Sequence, residues 1–260
     1  MVFDILTIFP DFFASPLQEG IIRRAIQDDK IRVAIHNIRD YALDKHHMTD
    51  DRPFGGGEGM VMKPEPLADC LKTVLDGEGS ARVILLSPKG ERFNQQTAQR
   101  LAGCPRLVFI CGRYEGVDER FRDKYVDEEL SIGDYVLTGG ELAALVVLDA
   151  VSRLLPGVLG CGDSASNDSF TCGLLKHGQY TRPRVFEGTA VPEVLLSGDH
   201  AAISRYRFVE TVRITLERRP ELLRDARFTP AEQKILKKEG LLGRIETIVN
   251  TRRAEPHTPG

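Results

Sequence analysis

The chain lacks a long apolar run: no hydrophobic stretch approaches the roughly 18–20 residues that a bilayer-spanning helix needs. A membrane anchor or membrane partner is therefore not expected. Cysteine is sparse and unpatterned. Cys70, Cys104, Cys111, Cys161 and Cys172 form an odd set without CxxC spacing. That argues against a zinc site or a disulfide framework and for a reducing cytoplasm. Each reads as a small buried or incidental thiol. The N-terminal MVFDILTIFPDF holds an Asp within its apolar run and no basic leader, so it reads as a buried first strand rather than a signal peptide.

Several catalytic signatures are also missing. There is no GxxxxGK followed by Ser or Thr, which argues against a P-loop enzyme. The first strand leads into FPDFF rather than GxGxxG, which argues against an N-terminal dinucleotide site. Neither HExxH nor GxSxG occurs. A basic total is missing too, since the formal net charge is −3. The charge is uneven, however. From Asp199 to the end there are 13 Lys and Arg against 9 Asp and Glu, a balance of +4, and the rest carries −7. Phosphate binding needs local rather than total positive charge. The basic C-terminal part fits an RNA partner and a solvated helical surface equally well.

What is present is an ordinary globular composition, 42% hydrophobic and 28% charged over 260 residues. That length holds one large or two modest domains. Strands are expected at Phe3–Phe9, Ile31–Ile38, Arg82–Leu86 and Leu107–Cys111, with helices near Pro16–Gln27, Pro64–Leu75 and Gln95–Leu101 between them. Such alternation points to an α/β fold with a largely parallel sheet. Glu141–Leu155 (ELAALVVLDAVSRLL) reads as a helix apolar around most of its circumference, buried in a core or against a partner subunit. Gly160–Gly173 turns abruptly to Gly, Ser, Asn and Asp and reads as a flexible linker. Beyond about Asp199 the chain is helical, with a helix start at Thr229–Glu232 and a frayed tail after Arg253.

Four glycine-bearing loops stand out: Arg52–Met60 (RPFGGGEGM), Leu85–Gly90 (LLSPKG), Cys111–Gly116 (CGRYEG) and Ser131–Glu141 (SIGDYVLTGGE). Any one alone is ordinary turn chemistry. Together, most of them following strands, they outline a pocket at the carboxyl ends of a parallel sheet. In the linker, Asp168–Phe170 (DSF) reads either as a solvated turn or as a general base delivered when the segment folds over a substrate. Arg153 reads either as a dipole-favoured charge at a helix C-terminus or as a group that stabilises negative charge building on a purine.

DDRPFGGGEGM, LLSPKG, ICGRYEGVDER, ELSIGDYVLTGGE, VSRLLPGVLG, DSF, YTRP and VLLSGDH, in this order and at these separations, resemble the bacterial tRNA (guanine-N1)-methyltransferases, the TrmD family of the SPOUT superfamily. The resemblance runs from the first strand to at least Arg219. It implies a knotted (deep trefoil) α/β domain over residues 1–159 that binds S-adenosylmethionine. An interdomain linker, 160–175, would carry the catalytic Asp. A mainly helical tRNA-binding domain would cover 176–260. It also implies a homodimer with shared active sites, acting on the guanosine at position 37 in the anticodon stem-loop. The cofactor residues would be Leu85, Leu86, Ser87 and Pro88; Gly112, Tyr114 and Glu115; and Ser131, Ile132, Gly133, Asp134, Tyr135, Val136, Leu137, Gly139 and Gly140. Asp168 and Arg153 match the catalytic acid and arginine. No metal-ligand cluster is visible, and the resemblance leaves Mg2+ open. The sequence departs from the family pattern at Ala143 and Glu58, where Pro is usual, and LLKHGQYTRP lacks a Pro before its Tyr. These changes bear on the cofactor wall and the linker and remove no proposed catalytic group. Two rival readings are a non-catalytic RNA-binding protein on the same fold and a metabolic α/β enzyme that binds a nucleotide in the glycine loops.

Overall fold

The computed structural model describes residues 1–76, 79–160 and 168–254, without the side chains of 251–254. Cys161, most of the expected linker and the last residues of the tail lie outside the described residues. The chain divides into two compact units, Met1–Gly162 and Asp163–Gly260.

The first unit is built on a five-stranded sheet of β1 (Val2–Thr7), β2 (Arg32–Asn37), β5 (Arg82–Arg92), β6 (Arg106–Cys111) and β7 (Glu128–Ser131), in the order β2-β1-β6-β5-β7. Every adjacent pair is parallel. The remaining strands, β3 (Asp50–Asp51) and β4 (Val61–Met62), form a separate antiparallel ribbon. Helices α1 (Gly20–Gln27), α2 (Pro64–Leu75), α3 (Gln95–Ala102), α4 (Glu119–Tyr125) and α5 (Glu141–Ser152) connect and cover the strands.

The pleat sorts the apolar residues onto two faces. Phe3, Ile5, Ile84, Leu86, Leu107 and Phe109 pack with Ala25 of α1, Leu101 of α3 and Val147, Leu148 and Val151 of α5. Leu6, Val83, Leu85, Val108 and Ile110 face Leu67, Leu71 and Val74 of α2 and Phe121 of α4. Because both faces are covered, all six residues of β6 (RLVFIC) are buried, as a near-continuous apolar central strand requires. Among these apolar residues sits one charged cluster. Asp4 accepts from Arg106 Nε at 2.8 Å and lies 2.7 Å from His36 Nε2, while Arg106 also donates to the Val74 carbonyl at 2.7 Å.

Several elements differ from the sequence expectation. The helix expected near Pro16–Gln27 is a 3-10 turn at Pro16–Gln18 followed by α1, because Gly20 takes a left-handed φ of 60° between them. Strand β5 continues past Leu86, with an irregularity between Leu86 and Glu91 before pairing with β7 resumes. The short α4 and β7 carry little apolar periodicity and were not expected. α5 ends at Ser152 and buries a broad face, but Leu142 and Val146 are exposed along the other.

The second unit holds α6 (His200–Arg218), α7 (Pro230–Lys238) and α8 (Leu242–Ala254), with a small ribbon of β8 (Val185–Phe186) and β9 (Thr189–Ala190). Asp199 caps α6 by accepting from the amides of Ala201 and Ala202. Thr229 and Glu232 form the reciprocal capping box that TPAE foreshadowed. The core is Val209, Val212, Leu216, Leu223, Leu236, Leu241 and Ile245.

Candidate functional site

In the first unit, the carboxyl ends of β6 and β7 and the irregular middle of β5 open onto one cleft. Three of the four glycine-bearing loops form its walls. The β5 wall is Leu85–Lys89, the β6 wall Gly112–Val117, and the third runs from Leu130 to Gly140 and on to Ala143. Ligand sites of parallel α/β sheets lie at this end of the strands.

Local chemistry explains each wall. Lys89 N–H donates to Ser87 Oγ at 3.1 Å, closing the turn in LLSPKG. In CGRYEG the Gly116 amide bonds the Arg113 carbonyl at 3.0 Å, and Tyr114 is held at a φ of 60°. A left-handed non-glycine residue is uncommon, and such strain collects where neighbours over-determine the backbone. Here the Glu115 amide is fixed to the Met60 carbonyl at 2.9 Å, tying the loop to the RPFGGGEGM segment. Gly140 N–H bonds the Gly112 carbonyl at 2.9 Å. A Cβ at Gly140 would stand 2.8 Å from Cys111 Cα and 3.1 Å from Leu86 Cβ, so the position demands glycine.

The lining is mixed. Leu86, Pro88, Val117, Ile132, Val136 and Leu137 give it apolar surface, and Glu115, Glu119 and Glu129 place carboxyl groups around it. Glu119 receives Lys89 Nζ at 2.9 Å and Arg122 Nε at 2.8 Å. These two cations hold its carboxyl below the usual carboxylate value. Behind the cleft, Glu141 is buried and pairs with Arg113 at 3.0 Å. Cys111, buried in the same place, has its thiol pushed well up by burial and by the nearby Glu141.

All but one of the sixteen residues expected at the cofactor line this cleft. The exception is Asp134, whose side chain is 81% exposed and paired with Arg92. Lys89 and Arg113, from within the expected loops, also line it, as do Glu119, Arg122 and Glu129, which were not expected because their positions depend on α4 and β7. The i, i+3 spacing of Glu119 and Arg122 after the CGRYEG loop was the one available signal.

Of the two expected catalytic residues, Arg153 belongs to the first unit and Asp168 to the second. Arg153 is the C-cap of α5, and its amide bonds the Asp149 carbonyl at 3.1 Å. It is absent from the cleft lining. Twelve residues of helix at 1.5 Å each separate Glu141 from Arg153, a span of about 18 Å. Asp168 belongs to the second unit, in a turn closed by hydrogen bonds from Phe170 N–H to the Leu174 carbonyl and from Gly173 N–H to the Phe170 carbonyl. Lys176 Nζ reaches Asp168 Oδ1 at 3.0 Å. The Leu175 amide donates to Thr215 Oγ1 at 3.1 Å, and the Arg219 guanidinium lies over the Phe170 ring, so the turn is fastened to α6. Part of the segment expected to be a flexible linker is thus held in place. Among the described residues, no group of three or more His, Cys, Asp and Glu is placed to hold a metal ion. Among the same residues, no helix is long and apolar enough to cross a membrane.

A parallel α/β unit whose cleft is walled by glycine loops at the strand ends defines a small-ligand-binding protein of the α/β class. The chain belongs to the tRNA (guanine-1)-methyltransferase TrmD family, whose model matches residues 1–225. It is 54% identical over 237 residues to a tRNA (guanine-N(1)-)-methyltransferase of Dehalococcoides mccartyi, covering 91% of this chain and 96% of that protein. It is 55% identical over 236 residues to a protein of the same name from Geobacter sulfurreducens, with the same coverage. A third relative so named, from Syntrophotalea carbinolica, is 52% identical over 236 residues, 91% of this chain and 95% of that one. Membership places the chain among enzymes, in preference to the non-catalytic RNA-binding reading and the metabolic one.

Proposed function

We propose that this protein transfers a methyl group from S-adenosylmethionine to N1 of the guanosine at position 37 of tRNA, in the cytoplasm. The observation that carries the reading is the convergence of LLSPKG, CGRYEG and SIGDYVLTGGE on one cleft in a chain of this family. The residues there suit the cofactor. Apolar side chains from all three walls offer a slot for an adenine ring, and the rim carboxylates offer acceptors for hydroxyl and ammonium groups. When bound, the cofactor supplies a methyl group already activated by the sulfonium charge. In this reading the first unit is the knotted SPOUT domain. The approach of Gly140 to Gly112 and the bridge between Arg113 and Gly139 support it, since they bring the last loop against the β6 loop.

The chain's own residues would handle the base. Guanine N1 carries a proton and attacks poorly until that proton leaves. Asp168 would accept it and Arg153 would stabilise the negative charge that collects on O6, leaving N1 able to take the methyl group that the cofactor supplies. The products are the N1-methylated base, S-adenosylhomocysteine and a protonated carboxyl. A target base inside a stacked loop is out of reach, so it is flipped into the cleft. The helical residues 176–260, with the +4 balance from Asp199 onward, would hold the anticodon arm by its phosphates.

The distance between Arg153 and the cleft of its own chain supports a homodimer with shared sites. An arginine one helix length away serves a cleft only if a second copy brings the two together. The exposed Leu142 and Val146 on α5 give such a copy an apolar surface. The test is Asp168→Ala, which is expected to abolish methyl transfer and leave cofactor binding intact. Near-normal turnover in that variant would remove Asp168 from the chemistry.

A further inference from the structure

We propose that the Arg113–Glu141 pair, its carboxylate buried behind the cleft, is a pin that shapes the cofactor cleft, making both positioning residues for methyl transfer. The proposal rests on the reading that S-adenosylmethionine occupies this cleft.

Glu141 opens α5 and its side chain is only 1% exposed. A buried carboxylate is costly unless its oxygens are satisfied. Here they are satisfied by two separate segments. The Thr7 hydroxyl, at the end of β1, donates to Oε1 at 2.8 Å. The Arg113 guanidinium, from the β6 loop, reaches Oε2 through Nε at 3.1 Å and Nη2 at 3.0 Å. Thr7 Oγ1 in turn accepts from the Phe9 amide at 3.0 Å, and the Phe9 ring lies 4.4 Å from the guanidinium carbon on the ring's face. One carboxylate thereby fastens the end of β1, the loop bearing Tyr114 and Glu115, and the start of α5.

The wall geometry depends on this pin. Gly139 has no room for a Cβ, because the space is filled by the Arg113 side chain and the Glu141 carboxylate. Gly139 is therefore seated directly on the pair, and the next residue, Gly140, lies against the β6 backbone. Tyr114, next to Arg113, is held in its left-handed conformation with half its surface exposed in the cleft lining. Arginine suits the role. Its planar fork meets a carboxylate with two nitrogens and stacks on an aromatic ring at once, which a lysine ammonium cannot do. Glu141 lies behind the wall while Arg113 reaches the lining, so the pair ties the wall to the start of α5.

The test uses full-length protein and S-adenosylmethionine as the probe, with binding measured by calorimetry and turnover measured at saturating cofactor. Glu141→Gln keeps the shape and loses the charge; Arg113→Lys keeps the charge and loses the fork. Each is expected to weaken cofactor binding by about tenfold or more, with kcat at saturation within about threefold of the parent. The double variant Arg113→Met, Glu141→Gln is expected to bind no worse than the weaker single one, because the two act as a unit. It also removes the uncompensated Arg113 charge that threatens folding of Glu141→Gln. Parental cofactor affinity in either folded single variant, even with a lowered Tm, overturns the proposal, as does a double variant that binds more weakly than both singles. Failure of the parent protein to bind S-adenosylmethionine would instead overturn the reading on which the pin rests.

Discussion

Lys176 Nζ lies 3.0 Å from Asp168 Oδ1, eight residues apart across a turn fastened to α6. The carboxylate proposed as general base is thus partnered by a cation. The two side chains should differ sharply in what their loss does. Asp168→Ala is expected to lower kcat on the order of 10²–10⁴-fold, the usual worth of a positioned base. Lys176→Met leaves the carboxylate present and is expected to cost less than about tenfold. Single-turnover methyl transfer separates the two. Equal losses would show that the ammonium itself takes part in the chemistry.

Arg153 stands about a helix length from the cleft of its own chain. If the Asp168 and Arg153 of one site come from different copies, Asp168→Ala and Arg153→Ala proteins are each inactive alone, yet mixing them under exchange conditions restores one intact site per heterodimer. Random reassociation predicts recovery of about a quarter of parental activity. No recovery, with exchange verified by mass, would show that the Asp168 and Arg153 of one site come from the same copy.

The Asp4–His36–Arg106 cluster predicts an acid-dependent stability. Burial raises the Asp4 carboxyl, but hydrogen bonds from His36 and Arg106 outweigh it and leave the group below its usual value. A carboxyl depressed in the folded state stabilises the protein fully above its unfolded value, about pH 4. That stability is lost as pH falls through the depressed folded value. Asp4→Asn is expected to cost about 3–5 kcal/mol at pH 7, because it strands a buried cation. It should also flatten the decline in stability below about pH 4. Urea denaturation from neutral to acid pH measures both; an unchanged acid slope would contradict the assignment.

Gly140 offers a steric test of the cleft wall. An alanine Cβ there meets Cys111 Cα at 2.8 Å, and main chain at the centre of a parallel sheet cannot retreat cheaply. Overpacking of this kind costs about 1–3 kcal/mol. Thermal denaturation should register it at roughly 2–4 °C per kcal/mol, and cofactor affinity should fall with it. Unchanged affinity would mean that the wall does not touch the ligand.

The sequence made the sheet legible because period-two alternation and glycine after a strand are local signals. Leu85, Gly112 and Gly140 could be assigned to one pocket before their distances were known. The charged rim was not legible. Glu119, Arg122 and Glu129 reach the cleft through α4 and β7, elements too short to show a period. Lys89 reaches it through an irregular stretch of a strand. The Arg113–Glu141 pair joins positions 28 residues apart, and no spacing rule links them. Asp134 shows the converse, since it sits within a matching motif and its side chain points to Arg92 instead of the cleft.

The most direct measurement is methyl transfer from labelled S-adenosylmethionine to two unmodified tRNA transcripts. One carries guanosine at positions 36 and 37, and the other carries adenosine at 37. Label on the first alone, mapped to guanine N1, is the predicted result. Label on neither transcript, or on both, from protein that binds the cofactor would contradict the proposed reaction.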